Sequence, residues 1–404
     1  MAVNLVSYNY GFTGPVGANP IGRTDLADPT TEFKNGGVVN LPLANAGAVV
    51  QFDDNRTYSL NIDATVPIFG TNTNPAAQTT IQGASGVRPY IKVTSTNALT
   101  ASAADLTPGV GTTPFNPDPN APRVLLIEGL WLGSGNANGD FTIQRSPSSA
   151  TTLDWDTITI SNATLDPGGV RADTTPIPPL RIVVNARVGT IVIERSIVGA
   201  IQVVVDPTCV NSGLLQQLVI SDSIVDGTKS NNVNVPSSTA PGPAIDCPTG
   251  TVTLNGVTVF GDVIATVLLA SNTLVLGQVR VRNQEASCFR FSAAFTPTDP
   301  SSFPRSFHPP RLATTDGSTG DVIPVDPVFF TSLTFGQPGY ASLSLAAPPQ
   351  IVTGGENGSE MGAFWFMDRP IALRSVQVKV DEFKPAGVIA QYIFQEEHAE
   401  TTVP

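Results

Sequence analysis

The sequence predicts an all-β chain: a right-handed parallel β-helix with three strands per coil, an irregular N-terminal arm and a small C-terminal cap. Three observations lead there. Charged residues are only 13% of the 404, about half the usual share, while Pro and Gly together supply 71, a balance that suits strands and turns better than helices. Apolar or small residues recur in steps of two, three and two. That unit repeats at irregular intervals, as loops of unequal length between coils would produce.

The pattern is plainest between Val188 and Gly227, at Ile191, Ile193, Ser196 and Val198 and again at Leu218, Ile220, Ser223 and Val225. A step of two keeps side chains on one face of a strand. A step of three would flip the next strand outward unless the chain turns a corner there. The unit is therefore two short strands meeting at a corner, both pointing inward.

In chain order, residues 1–36 show little periodicity and read as an extended arm. Residues 37–286 form the predicted β-helix body. AVVQF, TYSLNIDATVPIF and RPYIKVTS open it, with Ile91 and Val93 as a first weak copy. Full copies follow at Leu125, Ile127, Leu130 and Leu132, and at Ile158, Ile160, Ala163 and Leu165. After the two copies above come Val252, Leu254, Val257 and Val259, then Leu274, Leu276, Val279 and Val281. Copy starts are 33, 33, 27, 34 and 22 residues apart, which fits a coil of about 22 residues carrying insertions. A third strand is read at Ile201, Val203 and Val205, and at Val263, Ala265, Val267 and Leu269. An antiparallel sandwich is the competing architecture, but it does not predict a corner at a fixed offset.

Residues 287–327, rich in Pro, Ser and Phe, read as a loop excursion. Residues 328–404 read as a last coil, at Val328, Phe330, Leu333 and Phe335, followed by the cap. Within the cap, Pro370 would open a helix with Leu373, Val376, Val380 and Phe383 on one side; the alternation of Val376, Val378 and Val380 fits a strand equally well.

The stretches LLIEGLWLGSG, LVISDSIVDGT, SCFRFS, FTSLTFGQPGYASLS and above all Glu360-Met361-Gly362-Ala363-Phe364 resemble the β-helix proteins associated with phage-tail-like contractile injection systems. The resemblance runs from about Val49 to Phe394. It implies a structural, non-enzymatic role at a baseplate, particle periphery or surrounding shell, with other structural proteins of the particle as partners and several copies or a homo-oligomer as the working form. It hands over no catalytic set. The opening MAVNLVSYNYGFTGPVGANPIGRTDLAD departs from the family's N-terminal region, and QVKVDEFKPAGVIAQYIF is less Leu- and Glu-rich than the family's tail.

Composition narrows the chemistry. A net charge of −12 argues against nucleic acid, whose recognition needs a basic footprint. No apolar run reaches membrane-spanning length, and the start lacks a secretory pattern, so the expectation is a cytoplasmic product assembled into a particle. Cys209, Cys247 and Cys288 suit reduced thiols better than a disulfide framework. Asp222 and Asp226 could form an acid and base pair for glycan cleavage, as could Asp53 with Asp54 or Asp154 with Asp156. Corner preference explains all of them more simply. His308 and His398 are the only histidines, so neither a histidine triad nor a zinc site is expected. Asn136, Asn138 and Asp140 lack the closing Glu of a calcium loop, and GGENGSE lacks the Lys of a phosphate loop. No catalytic, cofactor or metal residues are therefore expected. Phe289, Phe291, Phe303, Phe307 and Trp365 are the candidate contact surface. A tailspike-like receptor-binding or glycan-binding protein, itself a β-helix, is the alternative function.

Overall fold

The computed structural model describes residues 4–8, 38–40, 48–52, 55, 57–61, 78–93, 99–102, 124–134, 139–144, 155–170, 176–204, 213–229, 242–295, 300–307, 311–313, 322–324, 330–337, 339–344, 347–367 and 369–390. Val205, Cys209, His308, Val328, His398, Asn136, Asn138, Asp53, Asp54 and Asp154 lie outside them. The fold is all-β and solenoid-like, one parallel sheet curled on itself, with few helices.

Parallel pairing runs in three ladders. The first links Val124–Glu128, Trp155–Ser161 and Arg187–Glu194 to the start of Leu214–Asp226 and the middle of Ile245–Phe260. It continues through the second half of Val263–Ser271 to Cys288–Arg290. The second joins Tyr90–Val93, Trp131–Ser134, Thr164–Leu165 and Ile197–Gly199 to the end of Leu214–Asp226, then to residues 258–260, Leu274–Val275 and Ala293–Phe295. The third joins Leu99–Ser102, Gly139–Gln144, Leu180–Asn185, Ile201–Val203, Ile245 with Asp246, residues 263–265 and Val279–Val281. Leu214–Asp226 and Ile245–Phe260 bend through corners, which ties the ladders into a single sheet.

The two-three-two residues stack as interior columns. One column runs Leu125, Ile158, Ile191, Leu218 and Val252, and the next Ile127, Ile160, Ile193, Ile220 and Leu254, every member buried. The step of three has a specific backbone cause. Gly129, Asn162, Arg195, Asp222, Gly256, Asn272 and Phe291, each just before the third column, all have positive φ between 45° and 68°. A left-handed residue turns the chain without losing the inward facing of the next strand, and Gly, Asn and Asp adopt it at least cost.

Serine fills the third column for a hydrogen-bonding reason. Ser196 Oγ donates to the Glu194 carbonyl (2.7 Å) and accepts from the Ala163 amide of the preceding coil (3.1 Å). Ser223 repeats this with the Ser221 carbonyl and the Ser196 amide, and Ser292 with the Arg290 carbonyl and the Thr273 amide. The corner thus satisfies buried backbone groups that the ladder would otherwise leave unmatched.

Several expectations differ from what is observed. The copy after Val252 begins at Leu268, with which it pairs, so that coil is 16 residues rather than about 22. Leu268, Ala270, Thr273 and Val275 are its buried residues, and Ala and Thr concealed it. Val279 and Val281 belong instead to the third ladder, and Leu274 faces outward beneath another layer. The expected third strand at Val263, Ala265, Val267 and Leu269 is cut short after Ala265. Leu268 and Ala270 then point inward, and Leu269 is exposed.

Residues 287–295 and 300–307 continue the body rather than leaving it. Ser287, Phe289, Ser292 and Ala294 form the next buried unit, and Cys288–Arg290 pairs onward to Ser306–Phe307. At the other end, Asn4–Tyr8, expected to be irregular, pairs in parallel with Ala48–Phe52. Residues 330–367 lie along the side of the solenoid, on the outer face of the second ladder. There Phe330, Phe335, Tyr340, Leu343, Ile351 and Met361 pack on Ile224, Phe260, Leu274 and Ala293. Phe330 and Phe335 belong to this lateral layer, and Leu333 is exposed, so these residues are not a last coil. The layer includes helix α1, Pro349–Val352, and is followed by helix α2, Arg369–Phe383.

Candidate contact surface

The lateral segment, residues 330–367, grips the left-handed corner column through polar contacts. Asn272 accepts from the Glu356 amide through Oδ1 (2.7 Å) and from the Gly362 amide through its carbonyl (2.8 Å). The Trp365 indole N–H donates to Asp222 Oδ1 (2.8 Å), and the Ala363 amide donates to Thr258 Oγ1 (2.9 Å). Gly256 is required twice over: its φ is +62°, and a Cβ there would lie 2.2 Å from the Trp365 ring. Met361 and Ala363 are buried, and Gly362, at φ +101°, sits where a Cβ would meet Thr258 Oγ1 at 2.5 Å. The Glu360-to-Phe364 stretch is thus a docking element for this chain's own sheet.

Two buried carboxylates anchor the same region. Asp226 accepts from the Thr228 amide (3.0 Å) and hydroxyl (2.6 Å) through Oδ1 and from the Tyr340 hydroxyl (2.7 Å) through Oδ2. Burial, followed by the charge and hydrogen bond of Asp226, raises the Tyr340 pKa well above the ordinary tyrosine value. Asp166 accepts from the Trp131 indole N–H and the Tyr90 hydroxyl. The Trp131 ring then meets Phe335 edge-on at 6.3 Å. Burial pushes the Cys247 thiol up to about 11, against a smaller lowering by backbone hydrogen bonds from Gly250 and Thr249 and a smaller rise from the Asp246 charge. Such a thiol is unreactive at neutral pH.

The residues expected to form a contact surface are dispersed by the fold. Phe289 and Phe303 are buried against each other, ring centroids 5.4 Å apart, and offer no surface. Phe291 takes the left-handed corner position, half-buried. Phe307 pairs with Phe289 through the backbone; its side chain lies outside the described set. Trp365 serves the lateral layer. Asp222 and Asp226, weighed as an acid and base pair, are both engaged in holding residues 330–367. Asp140 forms a bidentate pair with Arg181 (2.6 and 2.9 Å). Among the described residues, no group of three His, Cys, Asp or Glu side chains could hold a metal ion, and no helix is long and apolar enough to cross a membrane.

Sequence reasoning missed Asp166, Tyr340 and Asn272. Gly, Asn or Asp before five of the seven third-column residues was the available signal for the corner column. Nothing local signals Tyr340, which meets Asp226 from 114 positions away. No family model, curated protein or solved structure matches the chain.

Proposed function

We propose that the chain is a right-handed parallel β-helix of three strands per coil, used as a structural, non-enzymatic building block of a phage-tail-like contractile particle at its baseplate, periphery or shell. The observation that carries the scaffold reading is the commitment of four buried or half-buried polar side chains to contacts within the chain. Asp222, Asp226, Asn272 and Thr258 all hold residues 330–367 against a continuous apolar solenoid. The particle assignment is supported by the resemblance of the β-helix stretches and of the Glu360-to-Phe364 stretch. In native lysate the protein should co-sediment with sheath and tube, and deleting residues 1–36 should reduce incorporation while the β-sheet circular dichroism persists. A protein that never joins particles sinks the assignment.

A further inference from the structure

Each ladder presents an outer face; the second is covered, and the third is buried at some positions but open at Ile264 and Arg280. The second ladder lies under residues 330–367. On the third, Val183, Gln202 and Asp246 are buried despite pointing away from the interior, and Arg181 is paired with Asp140. The first ladder is different among the described residues. Its central outward row runs in continuous register from Leu126 through Val192, Val219 and Leu269 to Cys288, every member half-buried or exposed. The row beside it runs from Glu128 through Glu194 and Asn255 to Arg290. Across the seven strands from Leu126 to Cys288 the charges in these two rows are Glu128, Glu194 and Arg290, acidic toward one end and basic at the other, and Asp156 is a further half-buried charge outside both rows.

We propose that this face docks a second copy of the chain in antiparallel orientation, with Val219 on the two-fold axis. Facing sheets related by a two-fold axis along the strands keep each row opposite itself while reversing the order of coils. Glu128 then meets the partner's Arg290, and Arg290 meets the partner's Glu128. A parallel pairing would set the Glu128 row against the row of Val124 and forfeit both contacts. Seven strands about 4.8 Å apart and about 17 Å across bury roughly 500 Å² per copy, or ~1,000 Å² in total, at the threshold for a specific pair. The central row supplies Leu, Val and Thr side chains of the kind that pack between facing sheets. Such pairing would give the scaffold its partner; the role of the pair rests on the scaffold reading above, but the contact does not.

The full-length protein tests this by sedimentation velocity and disulfide trapping. At about 100 µM it should sediment as a dimer, and Glu128→Arg or Arg290→Glu should each weaken dimerisation about tenfold, with the double exchange restoring it. In a background with Cys209→Ser and Cys288→Ser, oxidation should cross-link Val219→Cys to itself. Val192→Cys should cross-link to Thr253→Cys in a mixture but not to itself. An unchanged circular dichroism spectrum verifies that each variant is folded. A monomer at that concentration, failure of the charge exchange to restore pairing, or self-cross-linking of Val192→Cys overturns the proposal. Co-sedimentation with particles by a chain that stays monomeric would overturn the pairing alone and leave the scaffold role standing.

Discussion

Ile193 and Ile220 occupy one interior column, fully buried, so truncating either to Ala should cost about 2–5 kcal/mol through lost transfer energy and an uncollapsed cavity. Alternation places Ile224 on the outer face, where the same truncation would be mild. It is instead 2% exposed under residues 330–367, so Ile224→Ala should cost a comparable ~2–5 kcal/mol, measured by equilibrium denaturation. Gly256→Ala combines left-handed strain of roughly 1–2 kcal/mol with displacement of Trp365. It should make the C-terminal region cleavable by low protease concentrations before the body is attacked. Asp222→Asn should weaken the Trp365 contact, replacing a charged acceptor of the indole N–H with a neutral one.

At the scale of elements, the lateral segment is the part most exposed to pH. Folding holds the Tyr340 proton more tightly than the unfolded chain, whose tyrosines ionise near 10.0. Above that pH the unfolded chain has released a proton that the folded chain still binds, so stability falls as pH rises. Cys247 acts in the same direction between 9.0 and about 11. Urea midpoints should therefore be lower at high pH than at neutrality, and Tyr340→Phe should flatten part of that decline while costing stability at neutral pH. A chain ending at residue 329 should keep its β-sheet spectrum but bind a hydrophobic dye, because Phe260 and Leu274 lose their cover. The other C-terminal element, α2, is a helix where the sequence allowed helix or strand, and Val376, Val380 and Phe383 remain exposed on it.

Across the whole molecule, the parallel solenoid was legible because its strongest signal is repeated. Five copies with Leu, Ile or Val at most positions fall into register where the spacing said they should. The later coils escaped notice because Ala270, Thr273, Ser287 and Ser292 occupy interior sites with little apolar character. A small or hydroxylated side chain is stable there when its oxygen bonds the backbone of a neighbouring coil, as Ser292 does, and that compensation is invisible in a hydropathy pattern. The outer layer escaped for another reason. Phe330, Phe335 and Tyr340 read as an apolar run, and a run does not say which face of a solenoid it will cover.

The sequence by itself determined the strand periodicity, the inward columns and the scarcity of groups able to form a histidine or metal site, all consequences of local alternation and composition. Tertiary structure alone decided that Asp222, Asn272 and Gly256 form one corner column, that Glu360 to Phe364 docks on it, and that Tyr340 closes over Asp226. Those contacts join residues roughly a hundred positions apart, and their energy exists only once the coils have stacked and brought the surfaces together.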